Sequence, residues 1–389
     1  MKVLHIGKYF PPYRGGMETY LRDLMAAQAQ QGLEPAALVH RSKLSITNVE
    51  GCYEARGEPL VIIRAAVWAR LLFTPISPTF PWLLHKLIKR QKPDVLHIHT
   101  PNVSGFWALF LPAARKIPWV VHWHSDVLAS RHSPRLRLFY TLYRPFERAL
   151  LKRAAKIIAT SPPYLESSEP LKEFRNKCEV VPLGLDPTRL TNAASKTVYE
   201  DTDMLRVLAI GRLTYYKGFE YLIRAVADSK GIELHFVGNG ELEKPLRQLV
   251  GDLNISSKII FHGKLPDDAM VAQLIACDCL CLPSTERTEA FGMVLLEAMS
   301  VGKATVVSNV PGSGMGWVVQ HDCTGLHIAP ENPASLTKSL CYLRDHRDRI
   351  RTLGGEGRTR FEKLFHIDRS AHSLSLIYSD LIANATTDT

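Results

Sequence analysis

Apolar and polar positions alternate between two periods in the first half of the chain. Short apolar runs typical of buried strands occur at 3–6, 36–39, 60–63, 94–99, 119–124, 157–160 and 179–182. Segments with a helical period separate them, at 18–31, 80–89 and 104–115. Strands that alternate with helices predict a parallel sheet with helices on both faces.

The second half repeats this alternation after a polar connection at 186–203. Strands are predicted at 205–210, 233–237, 258–261, 279–282 and 304–307, and helices at 218–229, 241–251, 267–276, 291–301, 334–364 and about 368–383. We therefore expect an α/β protein with two Rossmann-like doubly wound domains facing each other across a cleft, residues 1–186 and 204–365. Ligands of such sheets bind outside the carboxyl ends of the strands.

Composition indicates an ordinary globular protein, with 389 residues, 46% of them apolar. The absence of an 18-residue apolar run or of a signal-peptide pattern predicts a cytoplasmic location. The seven cysteines have no disulfide-framework spacing. Charge is uneven. Residues 1–200 carry 28 Lys/Arg and 15 Asp/Glu, a net of +13, which leaves 20 and 23, a net of −3, for the rest. Such asymmetry indicates that the first half faces a polyanion or an anionic membrane.

A basic segment at 131–156 concentrates this charge, with eight Lys/Arg against one acid, Glu147. Four of the cations recur every four residues and would form a stripe on one helix: Arg144, Arg148, Lys152 and Lys156. Apolar residues accompany them, and a second contact could form at Trp68, Leu71, Leu72 and Phe73. The pattern is typical of a membrane-surface helix or of a solvated outer face, and we favour the membrane. Nucleic acid is disfavoured because no binding motif accompanies the charge.

Two carboxylates flank a predicted strand–loop–helix junction in the second half. Glu289 precedes a helix expected to start near Phe291, and Glu297 lies about two turns inside it. The free N–H groups at a helix start suit an anion. A sugar nucleotide, with a diphosphate between two hydroxyl-rich rings, would match this arrangement, although two glutamates at this spacing also occur by chance.

Other strand ends carry candidate ligand groups. Gly15 and Gly16 follow the first strand and would let the backbone approach an anion, or would only turn the chain. Arg212 and Lys217 flank a loop after a strand and could clamp a diphosphate, or be a solvated pair. His124 ends a strand where it could contact a sugar hydroxyl, whereas the preceding His97, His99 and His122 are expected to be structural.

Together these motifs resemble the family 4 retaining glycosyltransferases of the GT-B fold. The resemblance is carried by the Gly15-Gly16 loop, Gly211-Arg212-Leu213 with Lys217-Gly218, Val237-Gly238-Asn239-Gly240, His262-Gly263 and the segment 289–297, and it runs over nearly the whole chain. It implies that the last helix, about 366–389, packs back on the first domain.

The resemblance implies a role for each matching residue. Arg212 and Lys217 would hold the diphosphate, Glu289 the donor-sugar hydroxyls and Glu297 the ribose. Further donor contacts would come from backbone N–H groups of Phe291, Gly292 and Met293, from the base-contacting region of Gly238, Lys264 and Leu265, and from Gly15 and Gly16. His124 matches the active-site histidine of the family. No metal and no cofactor are expected.

The implied activity is transfer of a hexose, mannose-type or glucose-type, from a GDP- or UDP-linked sugar to a lipid-linked or polysaccharide acceptor. We expect bacterial lipopolysaccharide, O-antigen or exopolysaccharide assembly, with the protein peripheral on the inner face of the cytoplasmic membrane. The alternatives are a sugar-nucleotide epimerase, a soluble disaccharide synthase or a non-catalytic nucleotide-sugar-binding subunit. A dehydrogenase is disfavoured because the Gly-x-Gly-x-x-Gly fingerprint is absent.

Overall fold

The computed structural model describes residues 1–71, 74–127, 134–190 and 203–387. The chain divides into two compact units, Met1–Gly184 with Ile367–Thr389, and Leu185–His366. Most of the polar connection predicted at 186–203 lies outside the described residues. The assignment of acceptor-side and donor-binding roles to separate domains stays a prediction.

The first unit contains an eight-stranded sheet, in the order β10-β9-β8-β7-β1-β2-β4-β3. Its strands are β1 (Lys2–Ile6), β2 (Glu34–His40), β3 (Val49–Ala55), β4 (Glu58–Ala65), β7 (Val95–Thr100), β8 (Trp119–Trp123), β9 (Lys156–Ala159) and β10 (Cys178–Val180). A separate short hairpin pairs β5 (Ala69–Leu71) with β6 (Thr74–Ile76). All pairs of the large sheet are parallel except β3 with β4. The sequence pattern missed β3, because this edge strand is largely exposed and carries two glutamates and a glycine.

Several helices accompany this sheet in the first unit. They are α1 (Gly16–Gln30), α2 (Phe80–Gln91), α3 (Pro112–Arg115), α4 (Pro134–Arg153), α5 (Pro162–Ser167) and α13 (Ile367–Thr387), with 3₁₀ segments at Val103–Phe110 and Lys172–Lys177. The single helix expected at 104–115 is therefore wrong. Leu111 is extended (φ −96°, ψ 112°), because a residue before proline avoids the helical region. The C-terminal helix α13 packs against α1.

The second unit contains a six-stranded, all-parallel sheet in the order β13-β12-β11-β14-β15-β16. Its strands are β11 (Leu205–Ile210), β12 (Ile232–Val237), β13 (Ile259–Phe261), β14 (Cys279–Leu282), β15 (Ala304–Ser308) and β16 (Leu326–Ile328). The first three strands proceed in one direction from β11, and the chain then returns to add β14 on its other side. The gap between the carboxyl ends of β11 and β14 is thus a topological switch point, where open α/β sheets bind ligands. The three-residue strand β16 was missed by the sequence pattern.

The helices of the second unit are α6 (Phe219–Ala227), α7 (Glu243–Asp252), α8 (Asp267–Ala276), α9 (Met293–Ser300), α10 (Met315–Val318), α11 (Pro333–Asp345) and α12 (Arg347–Leu364). The helical stretch expected at 334–364 is interrupted at His346, whose backbone is non-helical (φ −127°, ψ 70°). Between the sheet and these helices lies an apolar core that includes Val207, Leu234 and Val306. Cys277, Cys279 and Cys281 are buried free thiols.

Among the described residues, no helix is both long enough and apolar enough to cross a bilayer.

Candidate functional site

Two loops meet at the switch point of the second unit. The first follows β11 and runs from Gly211 to Gly218, and the second follows β14 and runs from Pro283 to Gly292. The backbone N–H of Thr285 donates to the carbonyl of Tyr216 at 2.8 Å. This hydrogen bond joins the two loops directly, so the side chains they carry are held side by side.

Glycines allow this close approach. A Cβ on Gly218, whose φ is +64°, would lie 2.3 Å from the carbonyl oxygen of Pro283 in the second loop. A Cβ on Gly238, whose φ is +137°, would lie 1.9 Å from the carbonyl oxygen of Gly211. Any side chain at either position would force the strand ends apart.

The two loops bring Lys217 and Glu289 together. Lys217 Nζ lies 2.5 Å from Glu289 Oε2, and the two side chains are 10% and 15% exposed. Ser313 Oγ donates to the backbone carbonyl of Glu289 at 2.6 Å, which ties this residue to the segment after β15. Burial, and after it the negative charge of Glu289, raises the pKa of the neighbouring Tyr216. The sequence singled out both members of the ion pair but not their contact, and it missed Ser313.

Arg212 lies on the same loop but has a different partner. Its guanidinium is 3.3 Å from Glu241 Oε2, and the side chain is 58% exposed. Burial by itself would raise the pKa of Glu241, but hydrogen bonds from Thr214, from its own backbone and from Arg212 lower it overall. Arg212 is thus paired with Glu241, whereas Lys217 is paired with Glu289. Glu241 was missed, although it follows the Gly238-Asn239-Gly240 turn at the end of β12.

The acid-bearing helix begins later than the sequence predicted. Its first residue is Met293, and Gly292 precedes it with a φ of +83°. The expected start near Phe291 is therefore wrong by two residues, because the left-handed backbone of Gly292 delays the helix. Phe291 is buried in the loop, where its ring packs edge-on against Phe365.

Glu297 projects from this helix and is engaged by an arginine from elsewhere in the unit. Arg189 Nη2 lies 2.5 Å from Glu297 Oε1, and the side chains are 25% and 14% exposed. No feature of the sequence indicated this pair, since 108 positions separate its members. The carboxylate that resemblance assigns to the ribose thus already has a cationic partner.

The segments expected to contact a base lie at neighbouring strand ends. Gly238 follows β12, and its N–H donates to the carbonyl of Gly263, which follows β13, at 2.8 Å. Lys264 is exposed and Leu265 is partly exposed beside this contact. The structure therefore brings the Gly238 and Lys264 regions together at the edge of the same sheet.

In the first unit, Gly15 and Gly16 form the start of α1, immediately after the loop that follows β1. A Cβ on Gly15 would lie 2.2 Å from Glu18 Oε2. Glu18 is buried in the first turn of the helix, and this burial raises the pKa of its carboxyl. The sequence pattern assigned Glu18 no role in this loop region.

His124 directly follows β8, at the carboxyl end of that strand, and is 4% exposed. Its ring belongs to a buried array with His5, His97, His99 and His122. Burial lowers the pKa of His124 to about 3 and that of His5 to about 4, so both rings are neutral. Ring nitrogens of His5, His97 and His99, and of His99, His122 and His124, lie within 4.8 Å of one another, which is close enough for a metal ion. They are nevertheless already engaged in hydrogen bonds with one another.

The basic stripe predicted on one helix is wrong in part. Helix α4 ends at Arg153, so Lys156 lies in strand β9 instead. Arg148 is paired with Glu173 at 2.7 Å and Lys156 with Glu179 at 3.5 Å. Of the four cations, two are therefore neutralised at the surface. The second contact predicted at 68–73 lies partly outside the described residues, because Leu72 and Phe73 are among those not described.

Comparison with known sequences assigns both halves of the chain. The sequence model of the family described as Glycosyl transferases group 1 matches residues 193–360, and that of the Glycosyl transferase 4-like domain matches residues 15–184. The chain is 27% identical to an O-antigen chain mannosyltransferase C of Escherichia coli, over 98% of this chain and 99% of the relative. It is 28% identical to the D-rhamnosyltransferase WbpZ of Pseudomonas aeruginosa, over 94% and 92%.

Solved structures share the fold. A sucrose-phosphate synthase from Thermosynechococcus elongatus superposes with a TM-score of 0.80 at 22% identity, covering 98% of this chain and 99% of that one. Anabaena Alr3699/HepE in complex with UDP-glucose superposes with a TM-score of 0.67 at 19% identity and full coverage of both chains. The two family domains, the relatives and the structural neighbours all point to the same family. The chain belongs to the family 4 glycosyltransferases of the GT-B fold and uses a sugar donor.

Proposed function

We propose that this protein transfers a hexose from a GDP- or UDP-linked sugar to a lipid-linked or polysaccharide acceptor. The observation that carries the proposal is the buried Lys217–Glu289 pair at the switch point of an all-parallel sheet. There a cation for a diphosphate stands next to a carboxylate for sugar hydroxyls. Relatives named for O-antigen and phosphatidylinositol mannosyl transfer support a mannose-type donor, and HepE complexes with UDP and UDP-glucose support a nucleotide sugar.

We assign the donor diphosphate to Lys217 and Arg212. The Lys217 ammonium has three donor hydrogens, so it can keep Glu289 and still donate to a phosphate oxygen. The exposed Arg212 can turn from Glu241 toward the same diphosphate. Glu289 would accept from sugar hydroxyls, the N–H groups of Phe291, Gly292 and Met293 would support the charge, and Glu297 would bind the ribose once Arg189 shares it.

Gly238, Lys264 and Leu265 would contact the base. From the first unit, Gly15 and Gly16 would approach the donor and His124 would contact the sugar. The structure holds each of these segments at the carboxyl end of its own sheet, which is the edge where ligands of parallel sheets bind.

The proposed reaction retains the configuration of the anomeric carbon. The bond from that carbon to the diphosphate oxygen breaks while the acceptor hydroxyl attacks from the same face, and the hydroxyl proton passes to the departing phosphate oxygen. Lys217 and Arg212 stabilise the developing charge on the diphosphate. Because these two side-chain cations would supply that stabilisation, we propose that no metal ion is required.

An exposed aromatic patch in the first unit supports a lipid-linked acceptor. Trp107, Phe110 and Phe146 are 41%, 57% and 42% exposed, and their rings contact one another in sequence, with Phe110 in the middle. A shallow hollow of about 560 Å³ lies beside them, lined in part by Arg115 and Arg153. Exposed aromatic rings next to arginines suit the boundary of an anionic bilayer. We therefore propose peripheral attachment to the inner face of the cytoplasmic membrane, within lipopolysaccharide, O-antigen or exopolysaccharide assembly.

The test combines ligand binding with product analysis. Nucleoside diphosphates and nucleotide sugars are screened by thermal shift, where binding raises Tm by mass action. The stabilising sugar nucleotide is then supplied in radiolabelled form with a membrane extract of lipid-linked glycans, with and without EDTA. We expect one base to stabilise the protein and label to enter the lipid fraction regardless of EDTA. Conversion of the donor without acceptor would indicate an epimerase, and stabilisation without turnover a binding subunit.

A further inference from the structure

Five buried histidines share one face of the first sheet. His5 lies opposite His97 in the β1–β7 register, and His99 lies opposite His122 in the β7–β8 register. His124 follows at the end of β8. None of the five is more than 4% exposed. Polar rings buried this deeply need hydrogen-bond partners, and they find them mainly in one another.

The first chain of hydrogen bonds runs from His124 to Gln28. His124 Nε2 lies 2.9 Å from His99 Nδ1, and His99 Nε2 lies 3.1 Å from His5 Nδ1. His5 Nε2 then lies 2.9 Å from the side-chain oxygen of Gln28. Each ring uses both nitrogens except His124, whose Nδ1 is buried with no partner among the described residues.

The second chain starts from the other atom of the same amide. Gln28 Nε2 donates to the hydroxyl of Tyr378 at 3.2 Å, and this hydroxyl lies 2.5 Å from His97 Nδ1. His97 Nε2 then lies 3.2 Å from His122 Nδ1. The chain ends at His122 Nε2, which has no partner among the described residues. Tyr378 belongs to α13, so the C-terminal helix contributes to the array.

A neutral imidazole has one donor and one acceptor nitrogen, so each chain has a direction. The Gln28 oxygen can only accept, which makes His5 Nε2 a donor and His5 Nδ1 an acceptor. His99 Nε2 must then donate to His5, and His124 Nε2 must donate to His99. The proton of His124 therefore lies on Nε2, and its Nδ1 presents a bare lone pair.

We propose that Gln28 is a positioning residue that sets the tautomer of His124 through His5 and His99. Through Tyr378 and His97, the same residue sets the opposite tautomer of His122. One amide with a donor end and an acceptor end couples the two chains. His124 is left with an acceptor at its unpartnered, buried Nδ1, and His122 with a donor at its unpartnered Nε2.

This arrangement requires neutral imidazole rings, and burial keeps the rings neutral by lowering their pKa values. It lowers the pKa of His5 to about 4 and of His124 to about 3, and it lowers the pKa of His97, His99 and His122 well below the usual value. A charged ring would have two donors and would interrupt either chain. The ring nitrogens that face one another are thus used in hydrogen bonds between the rings.

The consequence for catalysis rests on the proposed function. If His124 contacts the donor sugar or the acceptor, its bare Nδ1 accepts a hydrogen bond from a hydroxyl group and rejects a group that offers only a lone pair. The wrong tautomer of a site histidine reverses this preference.

The test reads the protonated nitrogen directly, in the full chain labelled with [¹⁵N]histidine. Long-range ¹H–¹⁵N correlation spectra at neutral pH distinguish the two tautomers, and the His124→Gln variant assigns the resonances of His124. We expect wild type to show a single His124 tautomer, protonated at Nε2. Gln28→Met should convert it to a mixture of both, whereas Gln30→Met, at an exposed glutamine of the same helix, should leave it unchanged. Tyr378→Phe should alter His97 and His122 but not His124.

The proposal would be overturned by a proton on Nδ1 of His124 in wild type, or by an unchanged His124 tautomer in Gln28→Met. A stoichiometric metal in the purified protein, with histidine resonances that move on EDTA treatment, would also overturn it. Should Gln28→Met fail to fold, His5→Phe cuts the same chain one residue further along and must give the same mixture. The spectra need no donor or acceptor, so loss of the proposed transferase activity would leave this inference standing.

Discussion

Removal of the ammonium group of Lys217 tests whether the buried ion pair is a functional site. The Lys217→Met change leaves Glu289, 15% exposed, without the cation that lies 2.5 Å away. Breaking a buried pair from one side costs about 3–5 kcal/mol, and residual exposure places this one near the lower figure, at about 3 kcal/mol. The unfolding free energy, measured by urea denaturation with attention to the slope, should fall by that amount.

A matched control is a second lysine–glutamate pair with the same nitrogen–oxygen distance, but with exposed side chains. Lys172 Nζ lies 2.5 Å from Glu169 Oε2, and these side chains are 57% and 74% exposed. Exposed pairs contribute at most about 1 kcal/mol, so Lys172→Met should barely change stability. The double change Lys217→Met with Glu289→Gln should recover most of the stability lost in the single variant, because no buried charge is left unpaired.

Measurements of transferase activity should separate the proposed catalytic role of Lys217 from the contribution of the ion pair to stability. Loss of a group that stabilises developing charge in the transition state costs about 100-fold to 1,000-fold in kcat. We therefore expect the double variant, which also lacks the Glu289 carboxylate, to transfer a radiolabelled sugar no better than Lys217→Met, although the double variant is stable. Near-normal transfer by the stable double variant would refute the assignment of Lys217 to the diphosphate. A stability loss no larger than that of Lys172→Met would refute the burial argument.

Three further predictions concern other parts of the molecule. Burial raises the pKa of Glu147 from 4.5 to about 7, so the folded protein holds a proton that the unfolded chain has released in this window. The contribution of Glu147 to stability should therefore fall by up to about 3 kcal/mol as pH rises from 4.5 to 7. The buried neutral histidines act in the opposite direction, so the measurement is the difference in urea midpoint between wild type and Glu147→Gln, which should shift against wild type over this window. Gly238→Ala places a Cβ 1.9 Å from the Gly211 carbonyl at a φ of +137°, so it should lower Tm and abolish the thermal shift by nucleotides, whereas an unchanged shift would contradict the loop geometry. Replacing Phe110 and Phe146 by Ser should reduce co-sedimentation with anionic vesicles without changing donor-induced thermal shifts; undiminished binding would exclude the aromatic patch as the membrane contact.

The pattern of apolar and polar residues was sufficient to predict the strands that form the centre of each sheet. Runs such as 36–39 and 279–282 are continuously apolar because parallel strands are buried on both faces. The same pattern failed where burial is one-sided or brief. Edge strand β3 has few apolar positions, and β16 has three residues. The break at Leu111 was indicated locally, since Pro112 follows it.

The sequence by itself determined the family, the strand–loop–helix order and most of the residues placed at strand ends, because those depend on local period and on short motifs. Tertiary structure decided which of these residues touch. Lys217 meets Glu289 across the switch point, Arg189 meets Glu297, and Gln28 joins two histidine chains. These contacts join positions that are distant in sequence, and they follow from strand order, register and helix packing. Local propensity carries no information about them, so only the folded chain shows which charge is neutralised and which ring nitrogen is left open.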